Sequence, residues 1–249
     1  MATMSDIHIN IASKFYPAIG RAGQHLAIAD LTLTLKSNEF ICLLGPSGCG
    51  KTTLLNIVAG LDNDYKGDIF AGQSHSLPKI GYIFQNPRLL PWRTVRENID
   101  LVLGVQSSSA VVDGLLEVMQ LTHFQHVYPE RLSLGMSRRV AIIRAFAVDP
   151  DILLMDEPCV SLDAPTARQV RELLLALWNE RPHNVLFVTH DLREAIALAD
   201  RLIFLSAAPM SFISEIKVPI ARAERHNESA IEAFRWQLLN DYPLIKTLL

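Results

Sequence analysis

Residues 45–53 read GPSGCGKTT. This stretch decides the fold, because it fits the pattern G-x-x-x-x-G-K-[ST] and stands in the context that gives the pattern meaning. The run before it, FICLLG (40–45), is continuously apolar, as a central strand buried on both faces would be. The run after it, TTLLNIVAGL (52–61), has helical periodicity. Strand, glycine-rich turn and helix in that order make a phosphate loop. Gly45, Gly48 and Gly50 have no Cβ, so backbone N–H groups can turn inward onto phosphate oxygens. The new helix adds its partial positive N-terminus. Lys51 brings a full charge to the β- and γ-phosphates, and Thr52 offers a hydroxyl to Mg²⁺. Cys49 fills a free position of the loop; it reads as a small filler, although a thiol there would make nucleotide binding sensitive to alkylation.

Working outward, Ile7, Ile9 and Ile11 alternate with His8, Asn10 and Ala12, and LTLTLK (31–36) alternates again. Both predict strands. KIGYIFQ (79–85), DILLMDE (151–157), NVLFVTH (184–190) and RLIFLS (201–206) predict further short strands. Helical patterns lie between them: DAPTARQVRELLLALWNE (163–180) and DLREAIALAD (191–200), the second opening on an Asp191–Glu194 capping box. TVRENIDLVL opens on another, Thr94–Glu97, and from there to Asp149 the pattern is mostly helical. Residues 229–240 predict a last helix, and SSS at 107–109 a loop. The chain therefore reads as one α/β domain over 1–249. Its core is 1–86 and 150–220, a helical insertion occupies 87–149, and a C-terminal helical tail follows at 221–249.

Composition narrows the function. The formal net charge is −3 and no Lys/Arg block dominates either half, which argues against nucleic acid as partner. Cys42, Cys49 and Cys159 are too few and too badly placed for a disulfide framework or a zinc site. A reducing, cytoplasmic setting is expected. The start MATMSDIHIN has no apolar core of a signal peptide, and no apolar run approaches ~18 residues.

Six more positions carry chemistry. DILLMDEP puts Asp156 and Glu157 at the carboxyl end of a buried strand, where open α/β sheets bind ligands. Asp156 can hold Mg²⁺ through water; Glu157 can orient or deprotonate an attacking water. The alternative is a helix N-cap pair. Gln85 and His190 end two other predicted strands, on the same edge as the loop if the sheet is parallel. Finally RLSLGMSRR (131–139) leads into a long amphipathic stretch. It reads as a Ser-capped helix start, and Ser133 and Gly135 as half of an anion site. Leu134 stands between them. If that position needs positive φ, a leucine costs about 1 kcal/mol or more; if it faces outward, little. Arg138, Arg139 and Arg144 read as a solvated face, at least two of them.

Taken together, GPSGCGKTT, Gln85, LSLGM, DILLMDEP, VSLD (160–163) and His190 resemble, in order and spacing, the ATP-binding subunit of an ATP-binding cassette (ABC) transporter. The resemblance covers about residues 7–220. It implies an ABC ATPase fold of the P-loop NTPase class: a RecA-like mixed sheet, an antiparallel β subdomain and an inserted helical subdomain. It implies ATP and Mg²⁺ as ligands and a head-to-tail homodimer, each ATP lying between the phosphate loop of one chain and the signature motif of the other. Residues Gly45, Pro46, Ser47, Gly48, Cys49, Gly50, Lys51, Thr52 and Thr53 would line the phosphates. Tyr16, in ASKFYP, would stack on adenine, with Phe15 the alternative. Thr52, Gln85 and Asp156 would serve Mg²⁺. Glu157 would be the general base and His190 would contact the γ-phosphate and water. Ser133 and Gly135, in a signature usually written LSGGQ and here carrying Leu134 and Met136, would contact the partner's ATP. Asp163 would belong to a loop crossing the dimer interface.

The PRLLPW form (87–92), with Met136 in the signature, resembles the nitrate/sulfonate/taurine type of bacterial importer. That implies permease subunits docking on an apolar LLPW groove, an extracytoplasmic solute-binding protein, and a peripheral position on the cytoplasmic face of the cell membrane. The alternative is that Leu89, Leu90 and Trp92 are core residues of the insertion. A soluble clamp ATPase, a regulatory nucleotide binder and an exporter ATPase are the rival classes. The first would need a second cassette, a coiled coil or basic arms, and the sequence has none of these.

Overall fold

A computed structural model describes residues 6–17, 23–72, 78–103 and 109–248. In chain order the elements begin with β1 (Ile7–Tyr16), β2 (His25–Leu35), β3 (Phe40–Leu44), α1 (Lys51–Val58), β4 (Lys66–Ala71) and β5 (Ile80–Ile83). Then come α2 (Val95–Asp100), α3 (Ser109–Val118), α4 (Leu134–Ala147), β6 (Ile152–Asp156) and α5 (Ala164–Glu180). The last are β7 (Asn184–Val188), α6 (Leu192–Leu198), β8 (Arg201–Leu205), β9 (Phe212–Lys217), α7 (Glu228–Asp241) and α8 (Pro243–Leu248). The chain divides into two compact units, 1–78 with 184–249, and 79–183.

The first unit holds two sheets. An antiparallel sheet has the order β2-β1-β4, with Ile9 opposite Leu33 on one side and Ile69 on the other. Ile7, Ile9, Ile11, Leu31, Leu33 and Leu35 are all buried, so the alternation seen in the sequence is one apolar face of a sheet. In the second sheet β3 lies between β7 and β8, parallel to both, and β9 adds to β8 antiparallel. Every residue of β3 and β7 is buried, which is why both read as unbroken apolar runs. The expected mixed sheet and antiparallel sheet are therefore present. Sequence reading missed β4 and β9. β9 is mostly exposed, and β4 buries only Ile69 and carries Gly67 at φ 144°, so neither shows an apolar period.

The second unit pairs β5 with β6 in parallel, Ile83 opposite Met155. Around them stand α2 to α5, whose inward residues include Val112, Leu116, Val140, Ile143, Val170 and Leu174. The Thr94–Glu97 capping box forms in full: the Thr94 N–H donates to Glu97 Oε2 at 2.7 Å, and the Glu97 N–H donates to Thr94 Oγ1 at 3.3 Å. Ser109 opens α3 rather than lying in a loop, while residues 107–108 fall outside the described residues.

Two sequence expectations are corrected. The Asp191–Glu194 box is only half made. Asp191 caps α6 by accepting from the Arg193 and Glu194 N–H groups at 2.8 and 3.4 Å. The buried Glu194 carboxylate instead accepts from the Thr189 hydroxyl at 2.6 Å, and the Asp191 N–H turns to Thr189 Oγ1. Nor are the three arginines of α4 a solvated face. Arg138 is buried and donates to the Val160 carbonyl; Arg139 donates to Met119 O; Arg144 donates to both Pro87 O and Arg88 O. Burial holds the Arg139 and Arg144 guanidinium groups below the usual arginine range.

Candidate active site

The phosphate loop leaves the C-terminal end of β3 and runs directly into α1. Gly50 is the N-cap of α1 at φ 116° and Gly48 sits at φ 76°, values that L side chains rarely adopt. Lys51 is the first residue of α1 and only 7% exposed. Its ammonium donates to the carbonyls of Gly45 and Pro46 at 2.8 and 2.9 Å, and lies 3.8 Å from Cys49 Sγ. The cation is thus stored inside the loop that it is expected to complete. Cys49 itself is buried, as a filler would be. Pro46 is half-buried and closes the turn through the Cys49 N–H; Ser47 and Thr52 are exposed.

Two further residues of this unit converge on the loop. The Tyr16 hydroxyl meets Thr53 Oγ1 at 2.9 Å, so Tyr16 rather than Phe15 is the aromatic held against α1. His190 follows β7, whose Val188 pairs with Leu43 of β3 in parallel register. The loop and His190 therefore leave the same edge of one sheet. β7 ends at Val188, two residues before His190. His190 is exposed on a corner clamped on both sides, by Thr189 bonded to Glu194 and by Asp191 capping α6.

In the second unit β5 and β6 end side by side, and the same logic applies. Asp156 closes β6 and is buried. Its charge, together with burial, pushes the Tyr82 phenol up, burial being the larger cause. Glu157 follows at φ 45°, immediately before Pro158. A non-glycine residue in that region stores strain of about 1 kcal/mol or more, and such strain gathers at functional sites. Gln85, two residues beyond β5, brings its Nε2 within 3.5 Å of Glu157 Oε2. Arg144 fixes this segment by gripping the carbonyls of Pro87 and Arg88.

Ser133 is the N-cap of α4, its Oγ accepting from the Met136 N–H at 3.2 Å. The cap uses a lone pair and leaves the hydroxyl hydrogen to donate. A Cβ at Gly135 would lie 2.6 Å from Thr166 Cγ2, so a larger residue there would force the Thr166 side chain to move. Leu134 is the first helical residue, absent from the positive-φ positions and 43% exposed. The question the sequence left open is thereby answered: no strain attaches to the leucine. Leu134→Gly should leave ATP turnover within about twofold and cost roughly 0.5–1 kcal/mol of stability through helix propensity. A large loss of turnover would show that the leucine itself is needed. Asp163 caps α5 through the Thr166 N–H at 3.3 Å, and the Thr166 side chain and N–H hold its carboxyl below the usual range.

The sequence pattern described as ABC transporter matches residues 28–160, more than half of the chain. The chain belongs to the ABC transporter family. As an ABC ATPase it binds and hydrolyses ATP. It is 40% identical to the aliphatic sulfonates import ATP-binding protein of Bacillus cereus over 95% of both chains. It is 39% identical to the nitrate import ATP-binding protein of Synechococcus elongatus, over 94% of this chain and 88% of that one. A dimeric bacterial ABC transporter cassette superposes with a TM-score of 0.74 at 31% identity, covering 86% of this chain and all of the other. A post-hydrolysis state of that cassette, bound to ADP and Pi, gives 0.73 at 30% identity with the same coverage.

Proposed function

We propose that this ABC ATPase energises the import of a small oxoanion-bearing solute, of the sulfonate or nitrate class, by working as an ATP-closed homodimer beneath a permease. Likeness over nearly the full length to import ATP-binding proteins for both solutes supports the class, and the dimeric cassette supports the assembly. The observation that carries hydrolysis rather than mere binding is Glu157, held at φ 45° with Gln85 at 3.5 Å.

In this reading Lys51 exchanges the Gly45 and Pro46 carbonyls for β- and γ-phosphate oxygens, and the N–H groups of 47–53 surround the phosphates. Tyr16 stacks on adenine. Glu157 takes the proton of the attacking water, and Gln85 and His190 orient that water and the γ-phosphate. Ser133 Oγ–H and the Gly135 N–H, from the second copy, meet the same γ-phosphate, with Asp163 nearby at the interface. By chemistry alone, the Thr52 hydroxyl, the Asp156 carboxylate and the Gln85 amide oxygen are hard oxygen ligands of the kind Mg²⁺ takes, and these are the residues that would hold it. When bound, Mg²⁺ supplies charge neutralisation at the β- and γ-oxygens.

The segment 84–92 is the proposed permease contact. Leu89 and Leu90 are half-buried, whereas Trp92 is 69% exposed, so the stretch is part core and part presented surface. Among the described residues no helix is long and apolar enough to cross a membrane. The chain is proposed to sit peripherally on the cytoplasmic face, with an extracytoplasmic binding protein delivering the solute to the permease. The domain division of the sequence reading, with 87–149 as the partner-facing insertion, is part of the same proposal. The test is a pull-down of tagged Glu157→Gln protein from membranes gently solubilised in MgATP. A multi-span permease should co-purify. Recovery of soluble partners alone, across several detergents, would overturn the importer reading.

A further inference from the structure

We propose that Lys14 is a positioning residue for the nucleotide base, acting through Tyr16; the proposal rests on the reading of Tyr16 as the base-stacking ring. Lys14 lies on β1, two residues before Tyr16, and its side chain is 3% exposed. A lysine so buried has to satisfy its charge within the protein. Its ammonium donates to Asp62 Oδ1 and to the Asp64 carbonyl, both at 2.8 Å, with Asp64 Oδ2 at 3.6 Å. It also sits 4.8 Å from the centroid of the Tyr16 ring. These carboxylates, led by the Asp62 hydrogen bond, outweigh the desolvation that would lower its pKa, and hold the ammonium above the usual lysine range.

The two aspartates belong to the turn that follows α1, where the Leu61 and Asp62 N–H groups both donate to Asn56 O. Lys14 therefore fastens β1 to the far end of the phosphate-loop helix. Tyr16 fastens the same strand to the near end, through Thr53. The ring is held at its hydroxyl by one tie, and the cation of the other lies against it. An exposed tyrosine otherwise samples several rotamers, and freezing one on binding weakens affinity. Here the freezing is done in advance. The ammonium also draws π density toward itself, which lowers the repulsion between the ring and a base stacked on it. Lys14 touches neither phosphate nor reacting atoms in this account.

The experiment uses the full chain and two probes: MgADP, and magnesium pyrophosphate as a ligand without a base. Lys14→Met should weaken MgADP by about threefold to tenfold, leave pyrophosphate affinity unchanged, and have no further effect in a Tyr16→Ala background. Equal loss for both probes, or a loss that persists undiminished in Tyr16→Ala, would show that Lys14 supports the loop and not the ring. A silent Lys14→Met beside an active Tyr16→Ala sinks this proposal alone. If Tyr16→Ala leaves the ratio of the two affinities at its wild-type value, the stacking reading falls and this proposal with it. Should Lys14→Met not fold, Asp62→Asn, which loosens the ammonium's anchor and keeps the ring, gives the same readout.

Discussion

Glu157→Gln lowers steady-state ATP turnover by about two to four orders of magnitude and leaves MgATP binding in place. The substitution is chosen because it changes little else. Glutamine keeps the shape of the side chain and an oxygen that can accept from Gln85 Nε2, now 3.5 Å from Glu157 Oε2. It inherits the same φ of 45°, so the turn that leads through Val160 to Asp163 is under the same strain in both proteins. What glutamine cannot do is take a proton from water. If Glu157 is the base, the chemical step slows while closure around ATP proceeds, and a dimer accumulates. Phosphate release gives the rate, and size-exclusion chromatography in MgATP gives the dimer. Native turnover in the variant would remove Glu157 from the role of base, and the strain at 157 would need another explanation.

The phosphate loop was legible because its chemistry is local. Glycine positions, a lysine and a threonine within nine residues, between an apolar run and a helical one, leave few alternatives. Buried β3 and β7, and the caps at Thr94 and Ser133, were legible for the same reason, whereas the cap that Asp163 makes on α5 was not read. What escaped depends on where long side chains land after the chain has folded. Arg138, Arg139 and Arg144 look like surface charge on a helix. Each instead reaches a backbone carbonyl distant in sequence, at Val160, Met119 and Pro87. A planar guanidinium fork suits that task, but no periodicity reveals it. Glu194 was misassigned because its carboxylate takes the Thr189 hydroxyl, while the N-cap N–H of Asp191 goes to Thr189 Oγ1. Lys14 was invisible for a related reason. In an alternating strand it reads as an outward polar residue, and only the turn at 62–64 makes it a buried one.

Lys51→Ala should weaken MgATP binding by about two orders of magnitude. Two charge-assisted hydrogen bonds to phosphate, at roughly 1.5 kcal/mol or more each, are lost together. The structure complicates the experiment, because Lys51 already has work without nucleotide: its ammonium ties the carbonyls of Gly45 and Pro46. A loss of those bonds alone would loosen the loop and lower the melting temperature of the free protein. Thermal unfolding with and without ligand separates the two effects. At a hundred times the wild-type Kd, MgATP stabilises the wild-type chain by about 2.7 kcal/mol. A variant bound a hundredfold more weakly gains only about 0.4 kcal/mol at that concentration. The ligand-induced shift should therefore nearly vanish, whatever happens to the free protein. If the free protein melts earlier yet the ligand-induced shift survives in full, Lys51 is a brace for the loop. Phosphate charge would then have to be met by the N–H groups of 47–53 and by α1 itself.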